Sequence, residues 1–236
     1  MREAGRVAAK ILAELKDIIK PGISTMEIDS FVEKTVKANN MIAAEKGYYG
    51  YPASACVSVN EEVVHGIPSK KKILREGDIV SVDLVVESKG YMADAARTYP
   101  VGKISKEAER LIETAEKAFF NGIAFAKEGC RLSDISNAVQ RTVEQEGFGV
   151  IRDFVGHGIG SKMHEEPQIP NYGKPGRGPR LQQGMTLAIE PMITQGSYEI
   201  DVLSDDWTAV TVDGKLAAHY ENTVVITDGE PELLTL

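Results

Sequence analysis

Apolar residues recur every three or four positions in four stretches of the chain, a spacing typical of amphipathic helices. The first stretch covers residues 7–19 and stops at Lys20-Pro21-Gly22. The second follows Ser24-Thr25-Met26-Glu27, which has the pattern of a helix-capping box. The other two cover residues 111–123 and 135–143. The pattern predicts two pairs of helices.

Between and after these pairs lie segments rich in β-branched and aromatic residues and bounded by turn residues, which predict strands. They are Cys56 to Val64, Ile79 to Val86, Tyr91 to Thr98, Thr186 to Ile193, Thr208 to Val212 and Tyr220 to Thr227. Residues 158–184 show no periodicity and contain four prolines. Long irregular connections are usually functional, so we expect this segment to cross a site.

The chain is weakly similar to itself at one constant offset of 107 positions. Residues 20–28 align with residues 127–135, and the same offset pairs Gly77 with Gly184 and Asp83 with Glu190. Because the offset holds without a gap across helical and extended segments, we interpret it as a duplication. The sequence predicts an α/β fold of two similar halves, about 1–104 and 105–236, within a single domain spanning residues 1–236.

Composition and charge exclude several classes of protein. No apolar run is long enough for a membrane span, and the N-terminus alternates charged with apolar residues, unlike a secretory signal. Cys56 and Cys130 are too few for a disulfide framework, so we expect two buried free thiols in a cytoplasmic protein. The formal net charge of -8 argues against binding to nucleic acid.

The densest basic run is Lys70-Lys71-Lys72, with Arg75 nearby. Short runs of like charge usually form solvated turns. We favour this interpretation over a docking patch for an acidic partner.

Residues 83–94 form a predicted hairpin around Ser88-Lys89-Gly90. A Ser88-Lys89 loop places Asp83 and Asp94 directly opposite each other, with Cβ atoms about 5 Å apart. A Lys89-Gly90 loop makes them diagonal neighbours on the same face. Because their neighbours on that face are apolar, two charged carboxylates there repel unless a cation lies between them or one is protonated. Taken alone, the pair indicates a metal site or an exposed face of an edge hairpin.

Three further groups favour the metal site. Glu190 lies in the middle of a buried-looking strand, and Glu221 stands just before another; buried Glu is rare without a partner. His157 lies between two glycines, which we expect to let other groups approach the ring closely. One cation cluster explains all these positions, and its predicted ligands are Asp83, Asp94, His157, Glu190 and Glu221.

The chemistry of this ligand set limits which metal ions can bind. Carboxylates with one imidazole and no thiolate suit Mn, Fe, Co or Zn. Five ligands favour two divalent ions over one, and paired ions of this kind occur in hydrolases. Water between two cations ionises near neutral pH, so the pattern indicates hydrolysis.

The remaining histidines differ in their surroundings. His65 ends a predicted strand before a Gly-Pro turn, and His164 lies in the irregular segment. Either could donate a hydrogen bond to a developing oxyanion. His219 shares a face with Glu221 by alternation, but we interpret it as a supporting or surface residue.

Together, these motifs resemble a type I methionine aminopeptidase over essentially the whole chain. The residues that carry the resemblance are Cys56 to Pro68, Val82-Asp83, Asp94, Gly156 to Gly160, His164 to Pro167, Ile189 to Met192 and Tyr220-Glu221. The resemblance implies the pita-bread fold, in which two pseudo-symmetric halves form a curved antiparallel sheet covered by helix pairs. It also implies removal of an N-terminal methionine when the second residue is small.

The resemblance assigns a role to each site residue. Asp83, Asp94 and Glu221 would hold one metal ion, and Asp94 and Glu221 would bridge to a second, completed by His157 and Glu190. Glu190 would also be the general base for a water bridging the two ions. His65 would hydrogen-bond the scissile amide, and His164 would stabilise the tetrahedral intermediate. The methionine pocket would be lined by Tyr48, Tyr51, Cys56, His65, Met163 and Trp207.

The resemblance also sets expectations about partners. The substrates would be the N-termini of peptides or nascent chains, which makes the ribosome a candidate partner, and the protein would be a monomer. Three residues depart from the family pattern. Met163 replaces an aromatic ring, Glu45 lies near a pocket edge where a less polar residue is expected, and Asn222 follows Glu221 where His is usual.

Two alternatives within the same fold stay open. Pita-bread enzymes that cleave Xaa-Pro bonds or creatine usually carry an additional N-terminal domain, whereas this chain begins within its first helix pair. A metal-free pita-bread adaptor that binds RNA or protein is expected to lack ligands and to carry basic extensions, and neither is seen in the sequence. We therefore favour the aminopeptidase.

Overall fold

The computed structural model describes residues 1–236 and contains the two predicted helix pairs. The helices are α1 (Arg2–Ile18), α2 (Thr25–Ala38), α3 (Lys106–Ile123) and α4 (Leu132–Gln145). At the start of α2, the Ser24 N–H donates to the Glu27 carboxylate at 2.8 Å, and the Glu27 N–H donates to Ser24 Oγ at 3.3 Å. The predicted capping box is therefore confirmed. No helix combines the length and the apolar character needed to cross a bilayer.

All strand pairs are antiparallel. The strands are β1 (Ile42–Ala43), β2 (Cys56–Val59), β3 (Glu62–Val64), β4 (Ile79–Ser88), β5 (Tyr91–Pro100), β6 (Gly149–Val150), β7 (Gly156–Gly158), β8 (Glu165–Ile169), β9 (Thr186–Ile189), β10 (Met192–Thr194), β11 (Ile200–Val202), β12 (Ala209–Thr211), β13 (Ala217–His219), β14 (Asn222–Val225) and β15 (Glu232–Leu233). One sheet runs β1-β4-β2 with β5 paired to β4, and another runs β15-β14-β9-β7-β8. Two smaller sheets run β13-β10-β6 and β11-β12-β3.

Two predicted strands are in fact each divided in two. The first, residues 56–64, turns at Asn60, whose φ is +58°. The second, residues 186–193, breaks at Glu190-Pro191, because proline has no N–H to continue the hydrogen-bonded ladder. Apart from Gly158, which ends β7, the segment 158–184 contains one strand, β8, and is otherwise irregular, as its sequence predicts.

Two large hydrophobic cores lie between the helix pairs and the sheets. The first packs α1 and α2 against β2, β4 and β5, and includes Ile11, Leu15 and Leu84. The second packs α3 and α4 against strands of the later sheets, and includes Phe119 and Ile135. Burying each such side chain contributes about 1.5–3 kcal/mol. These cores hold the strands on which the site is built.

The offset of 107 residues also relates pairs of local structures. Gly22 and Gly129, which it aligns, both have positive φ, at +97° and +84°. Isolated β-bridges join Ser24 to Ile73 and Arg131 to Arg180, and the offset relates these two bridges as well. The division of one domain into halves near residue 104 stays a prediction.

Candidate metal centre

The β4–β5 hairpin fixes the relation between Asp83 and Asp94. Its loop is Lys89-Gly90, with φ of +54° and +81°, as a two-residue type I′ turn requires. Asp83 therefore pairs with Ala96, and Asp94 pairs with Val85. Of the two predicted alternatives, the one with Asp83 directly opposite Asp94 is wrong, because the true partner of Asp83 lies two residues further along β5. The alternative with the two aspartates as diagonal neighbours is confirmed.

Neither aspartate lies on an exposed edge of the sheet. Strand β4 pairs with β2 on one side and β5 on the other, and Asp94 is only 6% exposed. Asp83 Oδ1 and Asp94 Oδ1 are buried and have no hydrogen-bond partner. The edge-hairpin interpretation is therefore excluded.

Glu190 and Glu221 lie at breaks between strands. Glu190 follows β9 and precedes Pro191, so the prediction that it lies within a continuous strand is wrong. Its carboxylate lies close enough to Asp83 and Asp94 for mutual repulsion. Glu221 lies between β13 and β14 and is 1% exposed. Its N–H donates to the Ala96 carbonyl on β5 at 3.0 Å, which ties it to the hairpin that carries Asp83 and Asp94.

His157 on β7 faces two of these carboxylates. Its Nε2 is 3.7 Å from Asp94 Oδ2 and 3.5 Å from Glu190 Oε1. Its Nδ1 is 2.9 Å from the Gly158 carbonyl oxygen. Since a carbonyl can only accept, Nδ1 carries the proton in the neutral ring, and the Nε2 lone pair is free to bind a metal ion.

The glycines beside His157 serve a different purpose from the predicted one. A Cβ on Gly156 would lie 2.5 Å from the Ala188 carbonyl oxygen, and a Cβ on Gly158 would lie 2.3 Å from that of Glu166. The glycines therefore admit the neighbouring backbone of β9 and β8 rather than groups that approach the ring.

Burial shifts the pKa of each predicted ligand toward its neutral form. Desolvation, followed by repulsion from neighbouring carboxylates, raises the pKa of Asp94, Glu190 and Glu221 well above the usual range. Desolvation also raises the pKa of Asp83, and it lowers that of His157 to about 4. A bound cation reverses the shift of the carboxylates by favouring their charged form, and it reinforces the shift of His157 because it binds the neutral imidazole.

The residues present fit divalent ions. Besides the unpartnered aspartate oxygens, Glu221 Oε1 is buried with no hydrogen-bond partner. Asp94, His157 and Glu221 each offer a ligand atom, and these atoms lie within 4.8 Å of one another. Buried polar atoms without partners are rare in native proteins, and a cation would satisfy all of these oxygens together.

Sequence reasoning missed His219. It is 1% exposed, and its Nε2 lies 3.8 Å from Glu190 Oε2 and 3.7 Å from Glu221 Oε2, with no hydrogen-bond partner. Desolvation lowers its pKa to about 3, so the ring is neutral. Of the two interpretations from the sequence, the one as a surface residue is wrong, and the one as a supporting residue stays a prediction. The alternation with Glu221 is the signal that places His219 beside the centre.

His65 and His164 lie at the same pocket. His65 has φ of +59°, a conformation that costs energy for any residue except glycine, and its ring meets Phe154 edge-on at 5.1 Å between centroids. His164 Nδ1 is hydrogen-bonded to Tyr48 Oη at 2.8 Å. The ring centroids of His164 and His157 are 4.3 Å apart. Both histidines can therefore reach a group bound beside the five predicted ligands.

One pocket of about 260 Å³ brings together every predicted site residue. Its lining includes the five predicted metal ligands, His164, and the pocket residues Tyr48, Tyr51, Cys56, His65, Met163 and Trp207. The volume is below the roughly 300–1,000 Å³ of sites for drug-sized ligands, which suits a single side chain.

The structure locates the three residues that depart from the family pattern. Met163 is buried and lines the pocket. Glu45 is also buried in the pocket wall, so it is not a residue of the rim. Asn222 accepts a hydrogen bond from Arg97 Nη2 at 2.7 Å and thus supports the junction beside Glu221.

Two other predictions concern residues away from the centre. Cys56 is buried as predicted, but Cys130 is only partly buried because it lies in the connection between α3 and α4. In the basic run, Lys70 and Lys71 are exposed and Lys72 forms an ion pair with Glu62, as a solvated turn does.

Comparison with known proteins agrees with this site. The sequence profile described as "Metallopeptidase family M24" matches residues 1–228. The chain belongs to metallopeptidase family M24, a family of metal-dependent hydrolases. The predicted use of divalent metal ions is confirmed at the level of this class.

Individual relatives narrow the comparison. The chain is 54% identical to the methionine aminopeptidase of Clostridium acetobutylicum over 236 residues, covering 100% of this chain and 94% of that protein. It superposes on the crystal structure of methionine aminopeptidase from Thermotoga maritima with a TM-score of 0.98 and 48% identity, covering 100% and 94% of the two chains. The predicted relationship to methionine aminopeptidases is confirmed.

A more distant structure shares the fold alone. The prolidase from Pyrococcus furiosus superposes with a TM-score of 0.79 at 23% identity, covering 100% of this chain and 62% of that one. Together with the Thermotoga maritima structure, it confirms the predicted pita-bread fold.

Proposed function

We propose that this chain is a methionine aminopeptidase that removes the N-terminal methionine from peptides and nascent proteins when the second residue is small. The observation that carries the proposal is the single pocket that combines a five-residue metal-ligand set with a wall of aromatic and sulfur-containing side chains. The relatives that match the chain over its full length bear the same name.

Five residues would hold two divalent ions of Mn, Fe, Co or Zn. Asp83, Asp94 and Glu221 would bind one ion, and His157 and Glu190 would complete the second, with Asp94 and Glu221 shared. The contacts of His157 with Asp94 and Glu190 support this division. When bound, such ions supply Lewis-acid polarisation of a carbonyl oxygen and lower the pKa of water.

Glu190 would act as the general base. Its carboxylate lies at the pocket surface beside His157 and His219, and its side chain is 13% exposed. It is therefore accessible both to a bound metal ion and to water. Glu190 would take the proton of the attacking water and pass it to the leaving amine.

His65 and His164 would handle the reacting amide. Burial lowers the pKa of His65 to about 4 and also lowers that of His164, so both rings are neutral and each carries one N–H donor. His65 would hydrogen-bond the scissile amide. His164, oriented by Tyr48, would donate to the developing oxyanion.

The wall of the pocket would select the side chain. Tyr51 and Trp207 meet edge-on at 5.1 Å between ring centroids, and Met163 and Cys56 add sulfur to the lining. Aromatic rings and sulfur form a polarisable surface that suits a thioether. Binding the free amine beside the centre would restrict cleavage to the N-terminus.

The proposed substrate also suggests the compartment and the partners of the protein. We place the activity in the cytoplasm, on nascent chains, with the ribosome as a candidate partner and the protein acting as a monomer. The relatives that support this setting are bacterial methionine aminopeptidases.

The test compares three peptides with and without a chelator. We expect the metal-loaded protein to cleave Met-Ala-Ser, to leave Met-Leu-Ser largely uncleaved, and to lose activity when the ions are removed. The Glu190→Gln variant is the matched control, because it keeps the size of the side chain and removes the charge that would serve both as a metal ligand and as the base. Preference for Ala-Pro-Ala would indicate a prolyl peptidase, and no turnover by metal-replete protein would indicate an adaptor.

A further inference from the structure

A second group of possible metal ligands lies on the pocket wall. Ligand atoms of Glu45, Cys56 and Asp83 all lie within 4.8 Å of one another. Cys56 Sγ is 3.6 Å from Glu45 Oε1. Of these three residues, only Asp83 belongs to the proposed five-ligand centre.

The sheet fixes this arrangement. Cys56 on β2 is the direct partner of Asp83 on β4, so both side chains project from adjacent positions on one face. Glu45 follows β1, which pairs with a later part of the same edge of β4. The three groups therefore converge because β1 and β2 lie end to end along β4, and no rearrangement of the backbone is needed to bring them together.

Glu45 has no partner that explains its burial. The residue is only 6% exposed, and its Oε2 makes no hydrogen bond; Asp83 Oδ1 is likewise buried and unpartnered. The weak Cys56 Sγ contact satisfies only the other oxygen of Glu45. A buried carboxyl in this condition costs free energy unless a ligand satisfies it.

We propose that Glu45, Cys56 and Asp83 form an additional binding site for a thiophilic divalent cation such as Zn²⁺ or Co²⁺. One thiolate and two carboxylates match the ligands that these ions prefer, and three protein ligands leave a further position open. Binding displaces the protons of the Cys56 thiol and of the Glu45 carboxyl. The site shares Asp83 with the five-ligand centre, and because it offers two carboxylates against the four of that centre, we expect it to fill second.

An ion at this site would occupy part of the pocket. Glu45 and Cys56 line the cavity that we assign to the methionine side chain. Excess cation would therefore inhibit turnover by competing with that side chain. This consequence rests on the proposed function, whereas binding of the ion does not.

Cobalt provides a direct probe, because the five-ligand centre contains no sulfur. We expect Co²⁺ added in excess of two equivalents to the full-length protein to produce a near-ultraviolet thiolate-to-cobalt charge-transfer band. Cys56→Ser should abolish the band. Glu45→Gln should weaken the cobalt affinity that the band reports by at least about tenfold, since it replaces a charged ligand. Cys130→Ser is the matched control and should leave the band unchanged.

Any of three results would overturn the proposed additional site. The first is the absence of the band at saturating Co²⁺, the second is a band that persists in Cys56→Ser, and the third is a cobalt affinity that Glu45→Gln leaves unchanged. Far-UV circular dichroism verifies that each variant is folded. If Glu45→Gln does not fold, Glu45→Ala takes its place.

The design separates this proposal from the proposed function. Cleavage of Met-Ala-Ser is measured separately, at two equivalents of metal, where the additional site is not filled. Absence of the band in excess Co²⁺ together with cleavage rejects the additional site alone, and a band together with no cleavage at two equivalents rejects the proposed function alone. Free L-methionine should weaken cobalt binding as the band reports it. A band that methionine does not affect would overturn the competitive inhibition.

Discussion

Asp94 and Thr223 are joined by two reciprocal hydrogen bonds across the middle of the molecule. The Asp94 N–H donates to Thr223 Oγ1 at 2.8 Å, and Thr223 Oγ1 donates to the Asp94 carbonyl oxygen at 2.9 Å. The two residues are 129 positions apart in sequence, so the pair links the β4–β5 hairpin to β14. Since Glu221 lies two residues before Thr223, this link sets the positions of two proposed metal ligands relative to each other.

Replacing Thr223 with valine should weaken both folding and metal binding. The substitution keeps the shape of the side chain but leaves the buried N–H and carbonyl of Asp94 without this partner, which costs about 1–3 kcal/mol of unfolding free energy. Loss of this support should lower metal affinity by about 10- to 100-fold. Chemical denaturation and isothermal titration calorimetry measure the two effects. Thr223→Ser keeps the hydroxyl and serves as the control; equal behaviour of the two variants would contradict this account.

His219 should position Glu190 and Glu221, because its Nε2 lies 3.8 Å and 3.7 Å from their carboxylate oxygens. His219→Ala removes this polar neighbour, and we expect kcat for Met-Ala-Ser to fall by about 10- to 100-fold while KM changes little. His219→Gln places an amide N–H at a similar reach and should restore most of the rate. Steady-state kinetics on the three proteins provides the measurement. A loss in the alanine variant that glutamine does not rescue would reduce His219 to a packing residue.

His164 should act on the transition state rather than on substrate binding. His164→Ala removes the proposed donor to the oxyanion, so kcat should fall by about 10²- to 10³-fold. Tyr48→Phe removes only the 2.8 Å hydrogen bond that orients His164 and should have a smaller effect in the same direction. The measurement is kcat and KM for Met-Ala-Ser. A rise in KM at constant kcat would assign His164 to binding alone.

The thermal stability of the metal-free protein should depend on pH in a defined direction. The pKa values of Asp94, Glu190 and Glu221 are raised above their unfolded values of 3.8 to 4.5. The stability they contribute is fully present below those unfolded values and is lost as the pH rises. The buried histidines act oppositely: since the pKa of His157 falls from 6.5 to about 4, its contribution is lost as the pH falls through that window.

Above pH 6.5 the histidine effect is complete, whereas the raised carboxyl pKa values, about 7 for Asp83, continue to act, so we expect the Tm of chelator-treated protein to decline as the pH rises from 6.5 to about 8. Divalent ions should raise Tm most at the upper end of this range, because metal binding requires deprotonated carboxylates. Differential scanning calorimetry with chelator or with Mn²⁺ checks both trends. A metal-free Tm that rises across the range would mean that the carboxylates do not titrate as their burial implies.

Local patterns in the sequence predicted the elements well, because helical periodicity and the Ser24 capping box depend on neighbouring residues. The register of the β4–β5 hairpin was less certain, since the sequence allowed either Ser88-Lys89 or Lys89-Gly90 as the loop. Positive φ at both Lys89 and Gly90 decided it. A shift of two residues keeps each side chain on its face, which is why the prediction of a shared face for the aspartates survived the error.

Long-range relations were harder to predict. Alternation placed His219 and Glu221 on one face, but only the fold shows that Glu190 approaches the same ring. Likewise, the sequence marked Glu45 as unusually polar without indicating that it is buried beside Cys56. Such contacts depend on how separate strands pack, and a single sequence does not record that packing.

Crystals of the protein prepared with two equivalents of Mn²⁺ and measured for anomalous scattering test the metal centre most directly. The expected result is two anomalous peaks within coordination distance of Asp83, Asp94, His157, Glu190 and Glu221, with Asp94 and Glu221 contacting both ions. Peaks elsewhere on the molecule, or these five side chains without an ion between them, would contradict the assignment of a two-metal peptidase site.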